Sequence, residues 1–242
     1  MPSQLQGTGC EIKIHYQPPG LMGLQRLERI RHVRTAQQRG VWARERPPLV
    51  VVNVDLDELS LPNAGQVQSQ VARVAAGHWD VICANGWMHM WSYQQLGSYD
   101  SFASILNNGH WLYPEAMGGQ VRALQVLHAN VMRSAEPYSM RACFGGMAIY
   151  RFDGVWDGGA GATCDYKHIP NNYRGYTREV HNGWCEHVGF MECIRAQRHG
   201  DLRVGISRDL PVHWSSDGNH ANNYHRRTLQ YFPTNFYNFS RM

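Results

Sequence analysis

The sequence predicts an α/β domain, on three observations. Residues 49–54 (LVVVNV) and 80–84 (DVICA) are short apolar runs of the kind a sheet buried on both faces needs. Stretches around them space their apolar residues as helices do. Strand-like and helix-like segments then alternate along the chain, instead of gathering in separate halves.

The elements follow in order. Residues 11–16 (EIKIHY) alternate apolar and polar and predict a short strand, which Gln17-Pro18-Pro19-Gly20 breaks. Leu24, Leu27, Ile30 and Val33 recur at three-residue steps, so 21–39 reads as a helix with Gly40 as its stop. Pro47-Pro48 leads into the strand 49–54, which ends at Asp55-Leu56-Asp57-Glu58. A helix is predicted over 64–76 and a buried strand over 80–84. Trp87, Trp91 and Tyr93 come next, then helices over 101–106 and 120–131. Residues 142–152 (ACFGGMAIYRF) read as a glycine turn feeding a strand. The Gly-, Asn-, Asp- and Tyr-rich stretch 153–172 reads as loop. A helix over 186–196 and a strand over 202–206 close the pattern, and the remainder is polar and aromatic.

Composition bounds the function. With 242 residues, 43% hydrophobic and 11% aromatic, the chain is too apolar to be disordered throughout and fits one domain. No apolar run reaches the roughly 18–20 residues of a transmembrane helix, and residues 1–10 lack the pattern of a signal peptide. A net charge of +4 is no nucleic-acid footprint. Lys13 and Lys167 are the only lysines among 23 cations; the arginine bias fits codon usage at least as well as phosphate binding. Six cysteines form no C-x-x-C pair, and both disulfides and buried thiols remain open. The 13 histidines are dispersed, with no H-E-x-x-H, which argues against a zinc hydrolase.

Four motifs carry chemistry. Asp55 and Asp57 sit at i and i+2 beyond an apolar strand, where open α/β sheets gather ligands. Paired carboxylates there suit Mn²⁺ or Mg²⁺ with a diphosphate, or are solvated turn residues. Gly145-Gly146 before a strand either admits a ligand to the backbone or makes an ordinary turn. Glu186 at a helix start is a general base or a carboxylate answering the helix dipole. His213, just past a strand, is a metal ligand or a structural histidine.

The order of these motifs resembles the GT-A class of nucleotide-sugar glycosyltransferases. Residues 141–150 (RACFGGMAIY) followed by Cys185-Glu186-His187-Val188 look most like the small rhamnosyltransferase-type domains of algal viruses and their cellular relatives. The segment from Trp79 to Ala103 resembles the stretch after the D-x-D in such enzymes. The resemblance runs from about Arg26 to His213. It implies one GT-A (Rossmann-like) domain over 1–242, with a mixed, mainly parallel sheet flanked by helices. Residues 1–20 would be a truncated N-terminal part, the first strand–helix unit missing or reduced, and 214–242 a C-terminal tail. It implies transfer of a sugar from a nucleoside-diphosphate sugar to a hydroxyl of a glycan or glycoconjugate, in the cytoplasm or the Golgi lumen. Asp55, Asp57 and His213 would hold Mn²⁺ or Mg²⁺, and Glu186 would be the catalytic base. Arg26, Arg34, Asp55, Gly145 and Gly146 would bind the donor, and Trp184 and His187 the acceptor. A non-catalytic carbohydrate- or nucleotide-binding module on the same fold is the alternative.

Overall fold

The computed structural model describes residues 26–43, 45, 47–55, 60–90, 95–98, 100, 103–112, 122–158, 164–166 and 185–213. The predicted strand 11–16 and the tail 214–242 lie outside these residues, as do Asp57 and Trp184.

The first helical pattern becomes α1, Arg26–Trp42. It runs past Gly40, the predicted stop. The Trp42 indole donates to the Trp156 carbonyl at 2.7 Å, and Gln38 reaches the same carbonyl at 2.8 Å. These tertiary bonds outweigh the ~1 kcal/mol that a glycine removes from a helix interior. The strand β1, Val50–Val54, follows. Helix α2, Ala64–Ala75, opens on a capping box: Asn63 Oδ1 accepts from the Gln66 N–H, and Gln66 Oε1 accepts from the Asn63 N–H. Then come β2, Val81–Met90, β3, Gln95–Ser98, and β4, Ile105–Leu106. The last replaces the helix predicted over 101–106. Six residues are too few for spacing to separate the two periods, and Ile105 is fully buried opposite Ala142.

Helix α3, Arg122–Arg133, leads to β5, Tyr138–Ala142, which the sequence did not predict. The glycine turn then feeds β6, Met147–Arg151, and a tight turn over Phe152–Trp156 with Gly154 at φ 72°. Helix α4, Glu186–Gln197, and strand β7, Val204–His213, complete the described elements. No helix among the described residues is long and apolar enough to cross a membrane.

All seven strands join one sheet, in the order β1-β6-β2-β7-β5-β4, with β3 on the far half of β2. Only β2 and β7 are parallel; every other pair is antiparallel. The mainly parallel, Rossmann-like sheet is therefore corrected to a mixed, mostly antiparallel one. The cause is β6, which returns between β1 and β2 and runs against both. An apolar run reports burial on two faces but not strand direction.

Burial alternates across the sheet and makes three layers. Val81, Cys83, Ala148 and Tyr150 face a core shared with α3 and α4. Ile82, Ala84, Met147 and Ile149 face a smaller core under α2. Strand β7 is longer than predicted because Pro211 does not end it. The register against β2 jumps from Ala84–Ser207 to Asn85–Pro211, a bulge that accommodates the proline. The bulge also flips the faces, so Val204 and Ile206 join one core and Leu210 and Val212 the other.

Two disulfides cross the larger core, Cys83–Cys143 and Cys164–Cys193, while Cys185 is a buried free thiol. Just before β2, the fully buried Asp80 meets Arg151, Arg198 and Arg203. Burial works against its charge, but the Arg203 N–H and the guanidinium groups of Arg198 and Arg151 hold its pKa below the usual value. This cluster ties together the end of β6, the end of α4 and the approach to β7, at the opposite end of β6 from the glycine turn.

Candidate functional site

The sheet directions bring the motifs together. β1 ends at Val54, which pairs with Met147 at the start of β6. The Asp55 N–H then donates to the Gly146 carbonyl at 2.9 Å. The end of the D-x-D strand and the glycine turn, about 90 residues apart, are thus hydrogen-bonded neighbours. Gly145 and Gly146 both have positive φ, 66° and 85°. A Cβ on Gly145 would lie 2.2 Å from the Ala84 carbonyl oxygen and 3.0 Å from the Gly86 nitrogen. The close approach that Gly145 permits is therefore to β2 of its own chain.

Arg34, from the middle of α1, joins the acids. Its Nη2 lies 2.8 Å from Asp55 Oδ1 and its Nε 3.1 Å from Glu186 Oε1. The guanidinium is buried, with its carbon 4.9 Å from the Phe144 ring centroid and 5.9 Å from that of Tyr166. Burial opposes its charge, but Glu186 and Asp55 outweigh this and raise its pKa, so it stays a cation. Arg34 thus spends two of its nitrogens on protein carboxylates. Arg26 opens α1, and its side chain lies outside the described residues.

Asp100 adds a third acid. Its Oδ2 accepts from the Gly145 N–H at 3.0 Å and its Oδ1 from the Ala103 N–H at 3.3 Å. Burial, with smaller contributions from the Glu186 and Asp55 charges, pushes its pKa up to about 6; the two backbone N–H groups oppose the shift. The site is therefore two carboxyl groups on one arginine, at the carboxyl end of β1 and the amino end of α4, with Asp100 beside them on the glycine turn.

Glu186 is the first residue of α4 and is buried, as is His187 beside it. His187 is stacked on Phe144 with centroids 3.7 Å apart, and its Nδ1 lies 3.1 Å from the Tyr150 hydroxyl. At 2% exposure the ring is enclosed, with Tyr166 edge-on to it. The reason is the helix start: α4 turns Glu186 toward Arg34 and the next side chain into the core.

His213 ends β7 opposite Trp87, with the two rings stacked at 4.0 Å and the His213 N–H on the Ser60 carbonyl. Among the described residues no three His, Cys, Asp or Glu side chains are grouped to hold a metal ion. Asp55 and His213 by themselves do not make such a group, and Asp57 lies outside the described residues.

Comparison with protein-family models, curated proteins and solved structures gives no match. The glycosyltransferase resemblance accordingly rests on its short sequence motifs.

Three site residues were not singled out by the sequence. Asn53 had a signal: it is the one polar residue in LVVVNV. Asp100 was a lone acid in an aromatic stretch, without a partner in sequence to mark it. Tyr166 lay in a Gly- and Asp-rich stretch read as loop, yet it is fully buried.

Proposed function

We propose that this chain is a glycosyltransferase that moves a sugar from a nucleoside-diphosphate sugar to a hydroxyl of a glycan or glycoconjugate. One observation carries the reading: Asp55, the Gly145-Gly146 turn and Glu186 meet around Arg34 although sequence separates them widely. In an inverting transfer, Glu186 takes the proton of the acceptor hydroxyl. The oxygen bonds to the anomeric carbon, the bond to the diphosphate oxygen breaks, and the nucleoside diphosphate leaves with that electron pair. Arg34 pairs with Glu186 and lends positive charge beside the departing diphosphate. The proposal retains Mn²⁺ or Mg²⁺ on the D-x-D pattern alone, with Asp55 and Asp57 as carboxylates. Such an ion offsets charge on the leaving diphosphate. The two disulfides favour the lumenal of the two compartments, since such bonds persist where conditions are oxidising.

The test is transfer or donor hydrolysis with Mn²⁺, with and without EDTA. Activity is expected to vanish with EDTA and in Asp57→Ala. In Glu186→Gln, turnover falls and donor affinity holds; unchanged turnover removes Glu186 as the base.

A second reading has its own support. Arg34 already pairs with both Asp55 and Glu186, as it would in a binding module that has given up catalysis. Calorimetry giving sugar or nucleotide binding with no turnover favours that module.

A further inference from the structure

Beneath Glu186 lies a buried polar chain that the proposed reaction does not itself use. Asn53 Nδ2 lies 3.4 Å from the Tyr166 hydroxyl. The Tyr166 and Tyr150 hydroxyls are close enough to influence each other's titration, and Tyr150 is hydrogen-bonded to His187 Nδ1 at 3.1 Å. The other nitrogen, His187 Nε2, is buried without a hydrogen-bond partner and lies 3.6 Å from Glu186 Oε1, just beyond hydrogen-bond distance. Tyr150 and Tyr166 are fully buried and His187 nearly so.

We propose that His187 is a positioning residue for Glu186, fixed in its Nε2–H form by the Tyr150 hydroxyl, with Tyr166 and Asn53 packed behind it. The two ends set the direction. An amide nitrogen only donates, so the Tyr166 oxygen accepts from Asn53. A carboxylate only accepts, so the nitrogen facing Glu186 carries the hydrogen and Nδ1 does not. Tyr150 therefore donates to Nδ1.

The chain also closes on itself. Asn53 and Asp55 are two residues apart, at the end of β1, and so share a face of the sheet. From Asp55 the contacts run through Arg34 to Glu186, then through His187, Tyr150 and Tyr166 back to Asn53. Arg34 and His187 both address Oε1 of Glu186, from two sides. Oε2 takes no bond from the described residues and is the oxygen left for an acceptor hydroxyl. Contacts to a catalytic group are often long before substrate binds, and the proposed role has the Nε2–H close on Oε1 in the complex. Burial first, and the Arg34 charge second, keep the imidazole neutral, as an Nε2–H donor requires. A core that needed only packing would put phenylalanine in place of the two tyrosines, with no hydroxyl to desolvate.

The inference rests on Glu186 being the base, and the experiment separates the two claims. Nitrogen-15 NMR of the labelled protein reads the His187 tautomer without any substrate. Neutral imidazole with its hydrogen on Nε2 is expected from pH 5 to 8, with the Nδ1 signal moving in Tyr150→Phe. A hydrogen on Nδ1 overturns the proposal. In transfer kinetics, Tyr150→Phe and His187→Asn are expected to lower kcat by about 10–100-fold, the usual effect of losing a group that orients a functional residue, with donor KM nearly unchanged. His187→Gln places its amide nitrogen near the Nε2 position and is expected to recover most of kcat, which a packing role alone does not predict. Tyr166→Phe serves as the second probe should Tyr150→Phe fold poorly. Unchanged kcat in the tyrosine variants overturns positioning while leaving Glu186 as base. No transfer by the unaltered protein overturns the base, and positioning with it, whatever the tautomer.

Discussion

Arg34 is the residue on which the site depends most, because it is the cation that the acids share. Removing one partner of a buried ion pair leaves the other charge desolvated and alone, at a cost of roughly 3–5 kcal/mol. Arg34→Met should therefore destabilise the protein to urea by that order, and adding Glu186→Gln should recover part of the loss. If the two substitutions add without recovery, Arg34 and Glu186 are not energetically coupled. Asp100 gives a separate prediction through pH. Its pKa is raised from 3.8 to about 6, chiefly by burial. Between those values the folded protein holds a proton that the unfolded chain releases. The stability it contributes is complete below the unfolded value and is lost as pH rises through the folded one. Asp100→Asn removes that titration. Melting curves of the two proteins should diverge from about pH 4 to pH 7 in favour of the variant, by up to about 3 kcal/mol. A difference constant across that range sinks the assignment. Asp80, whose pKa is lowered, acts in the opposite sense but identically in both proteins, so it cancels from the comparison.

At the scale of elements, the glycine turn between β5 and β6 is the most constrained connection. A side chain on Gly145 meets the Ala84 carbonyl oxygen at 2.2 Å, and the backbone sits at positive φ besides. Gly200, just after α4, also has positive φ but nothing within 4 Å of an added Cβ. Gly200→Ala should therefore cost only the backbone strain, about 1–2 kcal/mol, whereas Gly145→Ala adds a clash and should unfold the protein or cost several kcal/mol more. Equal losses in chemical denaturation contradict the close approach to β2. This turn also marks how far the sequence could be read. The pattern G-G before an apolar strand was visible, and so were β1, β6, the helix α2 and the start of α4, because each depends on neighbours within a few residues. The partner of Gly145 is not local: it is a carbonyl on a strand about 60 residues earlier. The same holds for β5, whose five residues YSMRA alternate too briefly to mark a strand by themselves, and for Leu210 and Val212, whose faces are set by a bulge against β2. Asp55, Glu186 and the glycines were legible as residue types at suggestive positions. That Arg34 would tie two of them together, and that His187 would point inward, depends on how α1 and α4 pack across the sheet.

At the scale of the whole molecule, the two disulfides both brace the site. Cys83–Cys143 ties β2 to the segment that enters the glycine turn, across a sequence separation of 60. Cys164–Cys193 ties the segment carrying Tyr166 to α4, which carries Glu186 and His187, across a separation of 29. Loop-closure entropy assigns about 3–4 kcal/mol to each bridge. Alkylation of the denatured, unreduced protein should spare Cys83, Cys143, Cys164 and Cys193 and label Cys185; labelling of all of them refutes the bridges. Their loss should also differ in kind. The first bridge joins parts of the framework, so replacing both Cys83 and Cys143 with alanine should lower stability and leave the His187 signals in place. The second holds Tyr166 against the helix of His187, since Cys164 is two residues from that tyrosine and Cys193 lies on α4. Replacing Cys164 and Cys193 should lower stability and also disturb the His187 tautomer, at temperatures well below the melt. If both pairs of substitutions leave the imidazole signals alike, the bridge stabilises the fold without governing the site, and the link between redox state and Glu186 is absent.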